Sequence, residues 1–320
     1  MKLARPAMLA LVTFAIAVGA GLAAAQDTTG DVNRQLLNAV SKGNSASARI
    51  LLDNGANVEA KDANGSTPLV LAAERNDIAM VKLLLEKGAD AGAKDQQGET
   101  ALIQAARSGC TEIVGMLAEK TSDAREKERA LFAAHGGAVV VLEAPENPDS
   151  NQSRTPQPEL PDLPWVQTVN LLIDMGVSVE ARDEERSTPL ISAAAHGETD
   201  IVRLLLKRGA DIQAKDKYGN TALIAAACEC AEATMNSTYD IVKLLLEKGA
   251  DVNGRTHEGR TALMNAAFGF GDASILKLLL ESGADPTVKD KHGDTALALA
   301  IKSDRPDKVQ VLKQPTAHAH

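Results

Sequence analysis

The chain has 320 residues, 44% apolar and 24% charged, with a net charge of −9 and a mean hydropathy of −0.12. That hydropathy excludes a multi-span membrane protein, and an acidic chain with no basic block is a poor binder of nucleic acid or anionic membrane. Aromatic residues make up only 2%, so the core must be built from Leu, Ala, Val and Ile, which suits closely packed helices better than a β-sandwich.

The first 25 residues read as an export signal. Lys2 and Arg5 give a short basic start, an uncharged run from Ala7 to Leu22 follows, and "AAAQD" offers Ala23 and Ala25 to a signal peptidase. The run approaches spanning length, so an uncleaved anchor is the competing reading. Its Ala and Gly content, and the polar chain that follows at once, favour a cleaved signal peptide with the cut after Ala25. No Cys lies near the cut, which argues against a lipid anchor. The mature chain is then expected in the periplasm of a bacterium, or secreted, with no membrane contact.

A stretch with one pattern then recurs along the chain. "DANGSTPLVLAA" starts at Asp62 and "DQQGETALIQAA" thirty-three residues later at Asp95; "DEERSTPLISAA", "DKYGNTALIAAA", "THEGRTALMNAA" and "DKHGDTALALAI" start at Asp183, Asp216, Thr256 and Asp290. A catalytic motif is needed once, whereas a motif used this often is a building rule. In the repeat from Asp183, Thr188 can cap a helix and Pro189 sits at its first position. Ala193 and Ala194 keep that helix thin. After His196-Gly197 a second helix carries Ile201, Val202, Leu204, Leu205 and Leu206, a face wide enough to be buried on two sides. Gly209 ends it, and a loop with Gly219 in a tight turn follows. Such a helix pair must stack on copies of itself.

With T-[PA]-L in the first helix, I-V-x-L-L-L in the second, G-A-D after it and a 33-residue period, the chain resembles the ankyrin repeat family over about residues 31–313. The resemblance implies an all-α ankyrin-repeat solenoid of about eight helix-turn-helix repeats with short β-hairpin fingers, spanning residues 26–315. Fingers and first helices would line a concave, protein-binding surface, roughly 60–70 Å long at ~8–10 Å per helix layer. The first repeat, near Arg34 to Ala60, lacks T-P-L as a polar cap would. The last starts at Thr295 and decays into "DRPDKVQVLKQP", a C-terminal cap, before a disordered tail at 316–320.

Several features depart from the family pattern. The His that often follows T-P-L is replaced by Val70, Ile103, Ile191, Ile224, Met264 and Ala298, so apolar packing is expected there. The fourth repeat has no G-A-D finger: "TSDAREKERALFAAHGG" runs straight to a first helix expected around Arg129 to His135. "EAPENPDSNQSRTPQPELPDLP" follows, with six prolines, a loop insertion at 143–165 between the two helices of one repeat, after which the second helix is expected beyond Trp165. "ECAEATMNST" is a smaller insertion at the same place in the sixth repeat. Arg186 replaces the finger glycine of the fifth, so a different turn is expected.

Chemistry is sparse. The sequence has no phosphate loop, G-x-S-x-G, H-E-x-x-H or C-x-x-C. Of the histidines, His135, His196, His257, His292, His318 and His320, two sit on successive finger tips and two in the tail. Asp62, Asp95, Asp183, Asp216 and Asp290 form a row whose constant place beside the turn makes them backbone acceptors. Cys110, Cys228 and Cys230 read as buried or half-buried thiols, with a strained Cys228/Cys230 disulfide or a metal- or thiol-dependent role as the sharper alternative. No catalytic residue, metal or cofactor is expected. The expected function is a non-catalytic interaction scaffold, monomeric, gripping another protein. An immunity-type inhibitor of a secreted enzyme or toxin is the alternative. Specificity is expected from Asn64, Gln97, Glu185, Tyr218, His257, Glu258 and His292 on the fingers, and from Arg107, Ser192 and Asn265 on the first helices.

Overall fold

A computed structural model describes residues 30–134, 163–228, 235–269 and 271–314. The expected signal peptide, His135, Cys230, the tail and all of the proline-rich insert before Leu163 lie outside these residues. Sixteen helices run through the described residues: α1 (30–41), α2 (Ser45–Asp53), α3 (Pro68–Glu74), α4 (Ile78–Glu86), α5 (Ala101–Arg107), α6 (Thr111–Lys120), α7 (Ala124–Ala133), α8 (Pro164–Asp174), α9 (Pro189–His196), α10 (Thr199–Lys207), α11 (Ala222–Ala226), α12 (Met235–Glu247), α13 (Ala262–Phe268), α14 (Ser274–Glu281), α15 (Ala296–Lys302) and α16 (Pro306–Lys313). They form eight first-helix/second-helix pairs. No described residue lies in a β-strand, and no described helix is long and apolar enough to cross a membrane. The fold is all-α.

The first helices start as their sequence dictates. Thr67, Thr100, Thr188, Thr221, Thr261 and Thr295 each accept, through Oγ1, the N–H three residues on at 3.3–3.4 Å. This satisfies one of the donors a helix N-terminus leaves open. Pro68 and Pro189 follow at the first helical position. The Ala pairs are fully buried, as in Ala72/Ala73, Ala193/Ala194 and Ala266/Ala267, and Val70, Ile103, Ile191, Ile224 and Met264 fill the place of the absent His with apolar contact.

The chain divides into two compact units, Met1–Ala105 with Glu119–Thr121, and Ala106–Ala118 with Ser122–His320; the division falls next to the missing finger. In the N-terminal unit α4 packs on α2 and α3 around Leu36, Val40, Leu69, Met80 and Leu84. In the C-terminal unit α7 packs on α8, so the fourth pair closes across its insert, and packing continues from α8 to α10, α12, α14 and α16 along the second helices. Thr111 Oγ1 donates to the Pro164 carbonyl at 3.1 Å and lies 2.9 Å from Thr168 Oγ1, fastening α6 to the start of α8.

Four local expectations are corrected. Helix α7 begins at Ala124 rather than Arg129, because Asp123 caps it, its Oδ1 accepting from Arg125 N at 2.9 Å. Helix α8 begins with Pro164 at its first turn and includes Trp165, which the proline content assigned to the loop. The last residues of "ECAEATMNST" extend α12 back to Met235. The Arg186 turn does not differ: Arg186 takes φ 59°, as the finger glycines do, and its N–H donates to the Asp183 carbonyl at 3.0 Å. Within the expected C-terminal cap Lys308 is fully buried; its ammonium donates to the Ala266 and Gly269 carbonyls at 2.6 and 3.0 Å, closing the C-terminus of α13.

Candidate partner-binding fingers

Each finger is a five-residue turn closed by its first residue. Asp62 Oδ1 accepts from Asn64 N and Ser66 N, both at 2.8 Å. Asp95, Asp216 and Asp290 repeat the pair at 2.8–2.9 Å. Asp183 holds Ser187 N at 2.7 Å, and Thr256 Oγ1 does the same for Arg260 N at 3.1 Å. The carboxylate row is thus spent on backbone. Burial pushes the Asp290 carboxyl up, but the N–H groups of Asp294 and His292, with the charges of His292 and Arg260, outweigh it and hold its pKa below the ordinary value.

Neighbouring fingers are tied tip to tip. In the N-terminal unit Gln96 N donates to the Asn64 carbonyl at 3.1 Å. In the C-terminal unit Lys217 N donates to Glu185 O at 2.9 Å, His257 N to Tyr218 O at 2.8 Å and Lys291 N to Glu258 O at 2.9 Å. The approach is close: a Cβ on Gly219 would lie 2.8 Å from His257 N. Backbones at the tips are therefore fixed, while the side chains of Asn64, Gln97, Glu185, Tyr218, His257, Glu258 and His292 are exposed.

Some of those side chains also bridge fingers. Lys217 Nζ pairs with the Glu185 carboxylate and lies 5.0 Å from the Tyr218 ring centroid. Hydrogen bonds from Lys217 and then Tyr218 hold the Glu185 carboxyl below its ordinary range, and the same contacts raise Lys217. Lys291 pairs with Glu258 at 3.3 Å. Tyr218, 55% exposed, is the largest apolar surface on the tips. The first-helix candidates divide. Arg107 is exposed and Ser192 half-buried. Asn265 is committed to structure, its Nδ2 donating to the Ile224 carbonyl at 3.1 Å, a group that the early end of α11 leaves open.

A second clamp escaped the sequence motifs. Glu59 Oε1 accepts from Asp90 N and Glu180 Oε1 from Asp211 N, each at 2.8 Å, and Asn253 Oδ1 accepts from Asp285 N at 2.8 Å. Each acceptor stands two residues after the Asn, Ser or Asp that caps its own loop, as Asn57 Oδ1 does for Glu59 N at 3.0 Å. An amide or carboxylate at that spacing was the signal available.

No cluster of three or more metal-binding side chains occurs among the described residues. Cys110 is buried, and burial pushes its thiol up, whereas Cys228 is exposed, not the buried or half-buried thiol expected. A family model described as ankyrin repeats, in three copies, matches residues 36–128, 165–256 and 231–320. No curated protein matches the sequence.

Proposed function

This chain belongs to the ankyrin repeat family, and from that premise we propose that it is an exported, non-catalytic scaffold gripping one partner protein with its finger tips. Ankyrin repeats serve as protein–protein interaction scaffolds, and binding to another protein follows for the chain at that level. The observation that carries the finer reading is the tip-to-tip backbone ladder from Glu185 to Lys291. Side chains that differ from repeat to repeat stand on backbone that is already fixed, so little conformational entropy remains to be lost on binding. Tyr218 is suited to anchor such a contact, being large, rigid and exposed, with a polar end already held towards Glu185.

The test is capture by the mature chain, Gln26 to His320, from exported proteins of the source, with Tyr218, His257 and His292 all changed to Ala in a control. One protein held stoichiometrically by the native chain and lost by the control is the expected result. Equal capture by both chains, or none by either, would remove the fingers as the site. N-terminal sequencing of the exported chain should return Gln26; a precursor that keeps residues 1–25 would contradict the export reading.

A further inference from the structure

Across the second helices one position is acidic in almost every repeat: Asp53, Glu86, Glu119, Asp174, Glu247 and Glu281 occupy it. The residue after it in the next repeat is often basic, and the two pair. Lys87 reaches Asp53 at 2.6 Å, and Arg208 reaches Asp174 at 2.8 Å. In α10 the same position is Lys207, and the residue that would pair with it in the next repeat is Lys248. Both line one groove of about 410 Å³ between α10 and the end of α12, with Arg203 one turn back from Lys207. The floor is apolar, made by Leu206, Ile212 and Leu244. Where the junctions at Asp53 and Asp174 place an ion pair, this groove places like charges around the half-buried Leu206 and Ile212.

Of the groove's three cations, Arg203 alone has a carboxylate coupled to it among the described residues. Asp200 is the acid coupled to Arg203; burial raises its pKa and the guanidinium opposes that. Asp211, beside the floor, turns its Oδ1 onto Gln213 N at 2.9 Å. Among the described residues neither Lys207 nor Lys248 has a salt-bridge partner, in a chain whose net charge is −9. We propose that the α10–α12 groove binds an acidic peptide segment of a partner protein, carboxylates on Lys207 and Lys248 and an apolar side chain on Leu206 and Leu244. The groove differs from the finger surface in elements and in chemistry: fingers pair their own charges, and this groove leaves them for a ligand.

The probe is a fluorescein-labelled octapeptide of alternating Glu and Leu, followed by anisotropy at low salt with the whole mature chain. Glu-Ser and Lys-Leu octapeptides separate the apolar from the charge contribution. The native chain is expected to bind Glu-Leu, Glu-Ser more weakly and Lys-Leu not at all, with affinity falling as salt rises. Lys207→Glu restores the acid-base pair seen at Asp53–Lys87, so its melting temperature should hold or rise. Its affinity for Glu-Leu should fall about tenfold, the worth of one charge-assisted contact. Tyr218→Ala should leave this binding unchanged. No Glu-Leu binding by the native chain, or equal binding by a folded Lys207→Glu variant, overturns the proposal. So does binding to anionic phosphatidylglycerol vesicles without peptide binding, or self-association that Lys207→Glu abolishes, since either assigns the groove to a different occupant.

Discussion

Gly219 and Arg186 hold the same corner of two neighbouring fingers, and the corner makes different demands of them. Gly219 has φ 84°, and any Cβ there would meet His257 N at 2.8 Å. Gly219→Ala must therefore both adopt a left-handed backbone and push the next finger away. The expected loss is about 1–3 kcal/mol in urea denaturation, with faster amide exchange at His257; unchanged exchange there would refute the ladder. Arg186 already bears the left-handed cost at φ 59°, about 1–2 kcal/mol. Arg186→Gly relieves it but frees the unfolded chain, leaving a net gain of about 0.5–1 kcal/mol; a loss in the same melts would show that Arg182, which donates to the Arg186 and Lys215 carbonyls at 2.7 and 2.6 Å, had made the strain worthwhile. The finger glycines, the Thr caps and the Asp acceptors were legible in sequence because each acts within five residues. Arg186 was not, because propensity disfavours its backbone and hydrogen bonds to Asp183 and Arg182 hold it there. Asn265 looked like a free surface amide for a related reason: its partner is a carbonyl exposed by the shortness of another helix.

At the scale of elements, the turn between α9 and α10 carries a half-buried acid. Burial pushes the Glu198 carboxyl from 4.5 up to about 8, and burial also raises Asp200 against the opposing charge of Arg203. The folded chain therefore holds protons that the unfolded chain releases above about pH 4.5. Stability from Glu198 is full below that pH and is lost as pH rises towards about 8. Glu198→Gln should remove much of this decline, and denaturation midpoints between pH 5 and 8 read it; a parallel slope in the variant would place the titration elsewhere. Helices were mostly legible by their apolar spacing, and the exceptions have physical causes. The α7 segment "AREKERALFA" has too few apolar residues to announce a helix before Arg129, yet Asp123 caps it there and Leu131 buries fully. Lys308 stands where α10 has Ile201, and a lysine at a core position reads as a solvent-facing cap until its two carbonyl partners are seen.

Across the whole molecule, residues fall into those that carry stability and those left for recognition. Leu205 is fully buried, and Leu205→Ala should cost about 2–5 kcal/mol. Tyr218→Ala should leave the denaturation midpoint nearly unchanged while weakening partner binding by ~1–4 kcal/mol; an unfolded Tyr218→Ala whose folded fraction still binds would reverse the assignment. The contacts within each unit join a helix to its own partner and to adjacent repeats, so stability is a chain of local terms rather than one shared core. Met80, fully buried in α4, tests this. Met80→Ala leaves a cavity costing about 2–5 kcal/mol, and hydrogen exchange should report it in α2, α3 and α4, which pack together. Amides of α13 to α16 should keep their protection, because none of their packing partners is altered. A uniform loss of protection along the chain would mean that the repeats unfold in one cooperative step, and the nearest-neighbour account would fail.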